Sequence, residues 1–520
     1  MNRLSMLDRV LARTDPWDIV VIGGGATGLG IAVDAAQRGY DTLLLEQFDF
    51  GKGTSSRSTK LVHGGVRYLA QGNIKLVTEA LYERSLMLAN APHVARRLAF
   101  LVPGFKWWEK PYYGLGLKIY DALAGRHGLG RSRFVSSSQA IEMIPTLERD
   151  HLRGGIHYFD GQFDDTRFLV HLARTAADLG ACLINYAPVV GLMKTGDRVT
   201  GVTFRDGEVG TEYSPRARVV INATGVFADG IRQLDDERLP AMLRPSQGIH
   251  LVLDRSFLPG QTALMVPKTD DGRVLFIIPW HDRVIVGTTD TPVDQVSFEP
   301  RALPEEFDFV MTHARRYLAR DPVESDVRSL FAGQRPLVRS TGAGKTSSLS
   351  RDHTLLIDRS GLITVTGGKW TTYRRMAQDA IGRAITVGGL PPRACQTPNL
   401  RLHGAVDRSP DDIDFLAYGS EWPLVDSLCQ TTTRGADLLV PGLPYRRGEV
   451  LWQARHEMAR TVEDVLARRT RCLFLDAVGS VGAAPTVAEI LAKELGKDDR
   501  WEKEQVQQYA SLAAGYLLPR

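Results

Sequence analysis

The sequence predicts an α/β protein: a Rossmann-like dinucleotide-binding domain that carries an inserted antiparallel β domain and ends in a helical C-terminal domain. Three observations support this. A short β-branched run, Trp17-Asp18-Ile19-Val20-Val21-Ile22, leads straight into Gly23-Gly24-Gly25-Ala26-Thr27-Gly28. A second glycine-rich segment, Gly367-Gly368-Lys369-Trp370-Thr371-Thr372-Tyr373-Arg374, lies far along the chain. Between them, from about 241 to 340, the pattern changes to short β-rich runs separated by turns.

The first run reads as a buried parallel strand. Glycines 23, 25 and 28 then give G-x-G-x-x-G. Gly23 allows a tight turn, Gly25 lets the backbone approach a pyrophosphate, and Gly28 lets the following helix pack on the strand. That helix is expected from near Ala26 to Arg38, with Gly39 as its stop. Its free N-terminal N–H groups and dipole favour an anion. Asp41-Thr42-Leu43-Leu44-Leu45-Glu46 is the second strand, and Glu46 stands at the spacing that holds a ribose hydroxyl. A turn that binds no phosphate leaves this acid unexplained.

Further along, Thr54, Ser55 and Ser56 open the hydroxyl-dense stretch 54–60, which can bond a pyrophosphate or flavin edge; a solvated loop is the alternative. In His63-Gly64-Gly65-Val66-Arg67-Tyr68, Gly64 and Gly65 let the backbone pass close to a flat ring. The apolar strand 217–222 ends in a small-residue turn containing Thr224 and Gly225, expected over the adenosine half of a dinucleotide. Gly368 and Thr371 then return the chain to the same ligand. One ligand embraced by such distant segments fits elongated FAD better than NAD, so the expected core is an FAD-binding domain of glutathione-reductase type.

The inserted domain is expected to contain strands at 250–253, 274–278 and 284–287, with Trp280-His281-Asp282-Arg283 as a hairpin loop. The expected division is 16–105, 151–240 and 341–388 for FAD binding, 106–150 as a membrane- or substrate-side insertion, 241–340 as a substrate cap, and 389–520 as the helical domain. Within the last, Arg455, Arg460, Arg468, Arg469 and Arg471 read as a solvated face. Between 106 and 125, Trp107, Trp108, Tyr112 and Tyr113 mix with Lys106 and Lys110 and lead into Leu115, Leu117, Ile119, Tyr120 and Leu123. This suits a bilayer interface or a packed aromatic cluster beneath a loop. Near the start, Leu4, Leu7, Val10 and Leu11 share a helical face beside Arg3, Arg9 and Arg13, giving a short terminal helix with membrane contact as the alternative.

Composition narrows the class. The chain's 520 residues are 43% apolar and 24% charged with a net charge of +4, which makes no case for nucleic acid. Its four cysteines, at 182, 395, 429 and 472, are scattered, support no metal site or disulfide framework, and read as reduced cytoplasmic thiols. No run reaches the roughly 18 uninterrupted apolar residues of a spanning helix, and the N-terminus is too polar for a signal peptide.

Candidate chemistry lies at three cations and two histidines. Arg335 sits inside an apolar run before Pro336, and a buried arginine must be paired. Arg67 and Lys369 adjoin glycines that let the main chain approach a ligand. Converging, the three would form an anion pocket; structural salt bridges are the alternative. His63 and His250 are suited by type to take a proton as hydride leaves a carbon, and equally to be hydrogen-bonded structural residues.

These residues together resemble the FAD-dependent, quinone-linked glycerol-3-phosphate dehydrogenases, from about Asp18 to the C-terminus. Ile22-Gly23-Gly24-Gly25, Gly28, Gly30, Ala32, Asp34, Arg38 and Gly39 are similar to that family's first signature, and Gly367-Gly368-Lys369 with Tyr373, Arg374 and Ala377 to its second. Thr54-Ser55-Ser56, Lys60, His63 to Tyr68, Ile278-Pro279-Trp280, Gly287-Thr288-Thr289-Asp290 and Arg335-Pro336-Leu337 follow in the family's order. The resemblance implies FAD as cofactor, oxidation of sn-glycerol 3-phosphate to dihydroxyacetone phosphate, and transfer of electrons to membrane ubiquinone. It implies a substrate clamp of Arg67, Arg335 and Lys369 with Tyr68, and peripheral attachment to the cytoplasmic face of the inner membrane, with 106–125 as the attachment surface. The sequence leaves the oligomeric state open, a homodimer being one option, and no metal is expected. Leu29 and Ile249 depart from the family's usual small residue and serine, and no D-x-D-x-D-G calcium loop is present. The rival readings are an oxygen-using glycerol-3-phosphate oxidase, an amine or amino-acid oxidase, and a flavin-binding scaffold without chemistry.

Overall fold

The computed structural model describes residues 1–66, 69, 72–339, 353–408 and 416–518. Arg67 and Tyr68 lie outside the described residues. Two sheets organise the molecule. The first has six strands in the order His353–Ile357, Ile363–Gly367, Ala217–Asn222, Trp17–Ile22, Thr42–Leu45 and Cys182–Ile184. All its pairings are parallel except that of the two strands at the His353 edge. Val20, Val21, Leu43, Leu44 and Ile221 are fully buried, as expected for strands covered on both faces. Because Ile22 is in register with both Leu45 and Asn222, these strands end level with one another. The Gly23 turn, Glu46, Thr224 and Gly367 therefore leave one carboxyl edge, where open α/β sheets bind ligands.

The helix Ala26–Gln37 follows the glycine turn and stops before Gly39, at φ +76°. It packs against the helix Tyr373–Gly388, and Gly30 meets Tyr373 so closely that a Cβ would lie 2.8 Å from the ring. The N-terminal helix Arg3–Leu11 turns Met6, Leu7 and Val10 into this core and pairs Arg3 with buried Asp206. Leu4 and Leu11, expected on the inner face, point outward. A charged anchor has set the phase of this helix.

The second sheet runs through Thr291–Pro292, Ser246–Asp254, Arg283–Gly287, Leu275–Trp280, Thr262–Val266, Ala95–Pro103, Gly155–Phe163 and Leu61–Val62, with Val327–Arg335 beside Ser246–Asp254 and Arg133–Val135 beside Gly155–Phe163. It is thus not confined to 241–340, since pairing of Thr262–Val266 with Ala95–Pro103 joins earlier segments to it. The hairpin at Trp280-His281-Asp282-Arg283 forms, with Trp280 opposite Arg283 and His281 at φ +43°.

The C-terminal part is helical, with helices including Arg447–His456, Ala477–Leu495 and Asp499–Ala513, and packs its apolar side on Trp280 and Phe331 of the second sheet. The arginine face expected to be solvated is corrected here. Arg468, Arg469 and Arg471 are buried: a π-helical turn over Asp464–Arg469 carries the first two to Asp49, and Arg471, at φ +61° just beyond it, reaches the Ser56 carbonyl. Only Arg455, paired with Glu494, keeps substantial exposure; Arg460 is mostly covered and pairs with Glu208.

Candidate active site

The loops leaving the parallel sheet enclose a cavity of about 430 Å³. Gly23, Gly25, Glu46, Thr54, Ser55, Thr224, Gly225, Gly368 and Lys369 all line it. Gly23 adopts φ +107°, and a Cβ there would lie 2.8 Å from the Ala223 carbonyl oxygen. At Gly25, which caps the helix without a side chain, a Cβ would lie 3.1 Å from Ser55 Oγ. Both positions keep the cavity floor bare backbone at a helix N-terminus, the arrangement that receives a pyrophosphate. Gly28 acts by packing: a Cβ would lie 1.8 Å from the Gly23 carbonyl oxygen.

Glu46 accepts the Gly24 amide at 2.6 Å and the Phe48 amide at 2.9 Å. Burial raises its pKa, and these two amides oppose that shift. Its carboxylate is therefore fixed to the glycine turn, and each oxygen keeps a further acceptor position for a ribose hydroxyl. Ser55 Oγ accepts the Ala26 amide at 3.0 Å, and Thr54 Oγ1 donates to the Gln334 carbonyl at 2.7 Å. The Trp370 indole donates to the Ser55 carbonyl at 2.9 Å, stitching the second glycine segment to the hydroxyl-rich turn.

Other expected cofactor residues sit elsewhere. Ser56 Oγ donates to the Gly53 carbonyl and the side chain is buried. Gly64 donates its amide to Tyr120 Oη at 2.8 Å, Gly65 sits at φ +76°, and Thr371 Oγ1 donates to the His63 carbonyl at 3.4 Å. None of these lines the cavity. Their glycines and hydroxyls shape the chain behind it.

Of the substrate cations, Lys369 lines the cavity and Arg335 precedes Pro336, which also lines it. Arg335 ends the strand Val327–Arg335. Its guanidinium donates to the Thr289 carbonyl at 3.0 Å and Thr288 Oγ1 at 3.2 Å, and pairs with Asp290 at 3.3 Å. Gly248 makes room for it, since a Cβ there would lie 2.3 Å from Arg335 Nη2. On the same strand as Gly248, His250 stacks on Phe331 with centroids 4.8 Å apart and places Nε2 2.9 Å from Thr59 Oγ1. Burial, and then the charges of Lys60 and Arg335, hold His250 well below the usual imidazole range, so its ring is neutral. His63 follows the strand Leu61–Val62 and is half-buried.

Two features were missed by the sequence reading, one wholly and one in part. Phe227 and Phe298 stack 3.9 Å apart in the cavity wall, although no motif marks either. Lys60, fully buried, donates to the Ser56 carbonyl at 2.7 Å and pairs with Asp165 at 2.6 Å. Burial outweighs Asp165 and lowers the Lys60 pKa to about 7. Only the density of polar residues around 54–60 pointed here.

Bare glycine backbone at a helix N-terminus, a tethered acid after the second strand and a return segment on the same cavity suit FAD, and define an oxidoreductase of the FAD-binding class. A family model described as FAD dependent oxidoreductase matches residues 18–374, and one described as the C-terminal domain of alpha-glycerophosphate oxidase matches residues 365–504. The mitochondrial glycerol-3-phosphate dehydrogenase of Homo sapiens is 42% identical, covering 96% of this chain and 73% of its own. That of Arabidopsis thaliana is 40% identical, with 97% and 86% covered. The solved glycerol-3-phosphate dehydrogenase of Bacillus halodurans, complexed with FAD, superposes with a TM-score of 0.81 at 28% identity, covering 100% of this chain and 99% of that one. The chain belongs to the FAD-dependent glycerol-3-phosphate dehydrogenase family, and is an oxidoreductase that uses FAD.

Proposed function

We propose that this protein oxidises sn-glycerol 3-phosphate to dihydroxyacetone phosphate and passes the electrons to a membrane quinone, attached peripherally to the cytoplasmic face of the inner membrane. The observation that carries the substrate is the pair of cations beside the cofactor cavity, Lys369 in its wall and Arg335 next to Pro336. The Arg335 guanidinium is held in place by Thr288, Thr289 and Asp290, and arginine is the side chain suited to a phosphate. Arg67 and Tyr68 complete the clamp by resemblance to the family. FAD held in this cavity by Gly23, Gly25, Glu46 and Ser55 would supply the two-electron acceptor for the hydride lost from C2 of the substrate. His250 and His63 are the candidates to take the hydroxyl proton, and burial beside Lys60 and Arg335 opposes its transfer to His250.

The membrane reading rests on the helix Glu109–Ala124. Leu117, Tyr120 and Ala124 face inward, while Tyr112 at 60% exposure and Leu115 at 65% face out, after Trp107 at 78%. Lys106, Lys118, Arg126, Arg131 and Arg133 are exposed around them. Rings and basic side chains on one face suit the headgroup level of a bilayer. Among the described residues no helix is long and apolar enough to cross a membrane.

Anaerobic mixing of the flavin-loaded protein with sn-glycerol 3-phosphate tests the chemistry. Rapid loss of flavin absorbance, absent with glycerol or amines, is expected; no bleaching would sink the substrate assignment. Reoxidation by a quinone analogue without peroxide separates the dehydrogenase from an oxygen-using oxidase.

A further inference from the structure

The loop between Glu46 and the turn Thr54–Ser56 supplies Gln47, Gly51, Lys52, Gly53, Thr54 and Ser55 to the cofactor cavity. It belongs to no strand, and its contact with the glycine turn is a bond from the Gly51 amide to the Gly24 carbonyl at 3.0 Å. Its other ties come from far away in the chain. Arg468 and Arg469 both close on Asp49, with Arg469 Nη2 2.8 Å from Asp49 Oδ1. Lys52 Nζ lies 2.7 Å from Glu463, which Arg468 also holds. Arg471 donates to the Ser56 carbonyl at 2.8 Å and pairs with Asp165 at 3.3 Å. The π-helical turn Asp464–Arg469 makes this possible by widening the helix where it meets the loop.

We propose that the segment Glu463–Arg471 of the helical C-terminal part is a lock on the cofactor loop, so that FAD enters and leaves only when its contacts with Asp49, Lys52 and Ser56 break. The proposal rests on the reading that the cavity is the FAD site. These contacts are buried or nearly so, and so lie outside the reach of screening by salt. Burial pushes the Glu463 carboxyl up, but Arg468 and Lys52 override it and hold the pKa at about 2, so the bridge to Lys52 is ionic at neutral pH. Breaking it leaves Lys52, a residue of the cavity wall, without that partner.

The test uses the FAD-loaded enzyme diluted to low concentration, with release followed by the rise of free-flavin fluorescence. Glu463 does not line the cavity, so Glu463→Gln changes the lock and not the site. It is expected to speed FAD release by about tenfold or more, the effect of losing one charged hydrogen bond; because loss of a buried ionic partner also lowers the melting temperature, release is compared at a temperature where both proteins are fully folded. Arg468→Lys, which keeps the charge and loses the two-point grip, is expected to fall between. Release from both variants at the wild-type rate overturns the lock. Should either variant fold poorly, hydrogen exchange on the wild-type holoenzyme decides: amides of 47–56 and 463–471 are expected to open at one common rate, and faster opening of the loop alone overturns it. A wild-type protein that binds no FAD refutes the cavity reading itself, which is a distinguishable failure.

Discussion

Gly28 shows how narrow the tolerances are at single positions. A Cβ at Gly28 would lie 1.8 Å from the Gly23 carbonyl oxygen, so Gly28→Ala must push the helix Ala26–Gln37 off the Gly23 turn. A loss of about 1–3 kcal/mol is expected, together with loss of bound flavin, seen as a lowered melting temperature and a reduced flavin-to-protein absorbance ratio. Arg335 belongs to the opposite kind of residue, since it touches neither the glycine turn nor the acid at 46. Arg335→Ala should leave FAD bound while raising KM or lowering kcat by about ten- to a hundredfold, the scale of losing a charged hydrogen bond. Unchanged steady-state kinetics would remove Arg335 from the clamp. These two positions were legible because each sits in a short pattern whose spacing has a mechanical reason. Phe227 and Phe298 were not, because their stacking joins two segments that only the folded chain brings together.

At the scale of elements, the helix Glu109–Ala124 separates what composition can say from what packing decides. Its aromatic and basic residues were visible, but not which of them face out. The phase is set by Gly114, where a Cβ would lie 2.4 Å from the Phe134 ring, and by Tyr120, which donates to Asp160 at 2.8 Å. Replacing Trp107, Tyr112 and Leu115 together by Ser should abolish cosedimentation with anionic lipid vesicles. The rate of flavin reduction by sn-glycerol 3-phosphate should stay the same, because none of the three lies in the site. Cosedimentation that survives would place the membrane contact elsewhere. The helical segment 448–471 is the reverse case. Its five arginines look like a surface in one dimension, and three of them became interior charges because Asp49 and Asp165 were already buried nearby.

The molecule as a whole stores its pH dependence in imidazoles. Burial lowers the pKa of His93 to about 3 and of His157 to about 4, and holds His171 and His250 well below the ordinary value. In the unfolded chain these rings titrate near 6.5. Below that pH the unfolded state takes up protons that the folded state refuses, so stability falls as the solution is acidified from pH 7 towards 5. One unit below 6.5 the loss is on the order of 1 kcal/mol for each ring, offset in small part by His403, where Glu421 and Asp178 outweigh burial and raise the pKa. Thermal unfolding across this range checks the sign, and a melting temperature that rises on acidification contradicts it. The parallel sheet was readable at this scale because each strand is followed by its own helix or turn. The second sheet was readable in part: its strands near 250–253, 274–278 and 284–287 form as expected, but its extension was not, because Ala95–Pro103 meets Thr262–Val266 only after the intervening chain has folded.

The hydroxyl of Tyr120 has a second bond, accepted from the amide of Gly64 beside His63. The inner side of the helix whose outer side carries Tyr112 and Leu115 therefore grips the main chain next to a proposed proton acceptor. A helix advances about 100° per residue, so a slip of a single position would release that grip and turn Leu115 inward in the same movement. The outward turn of Leu115 and the aim of His63 are in this way two readings of one rotational setting.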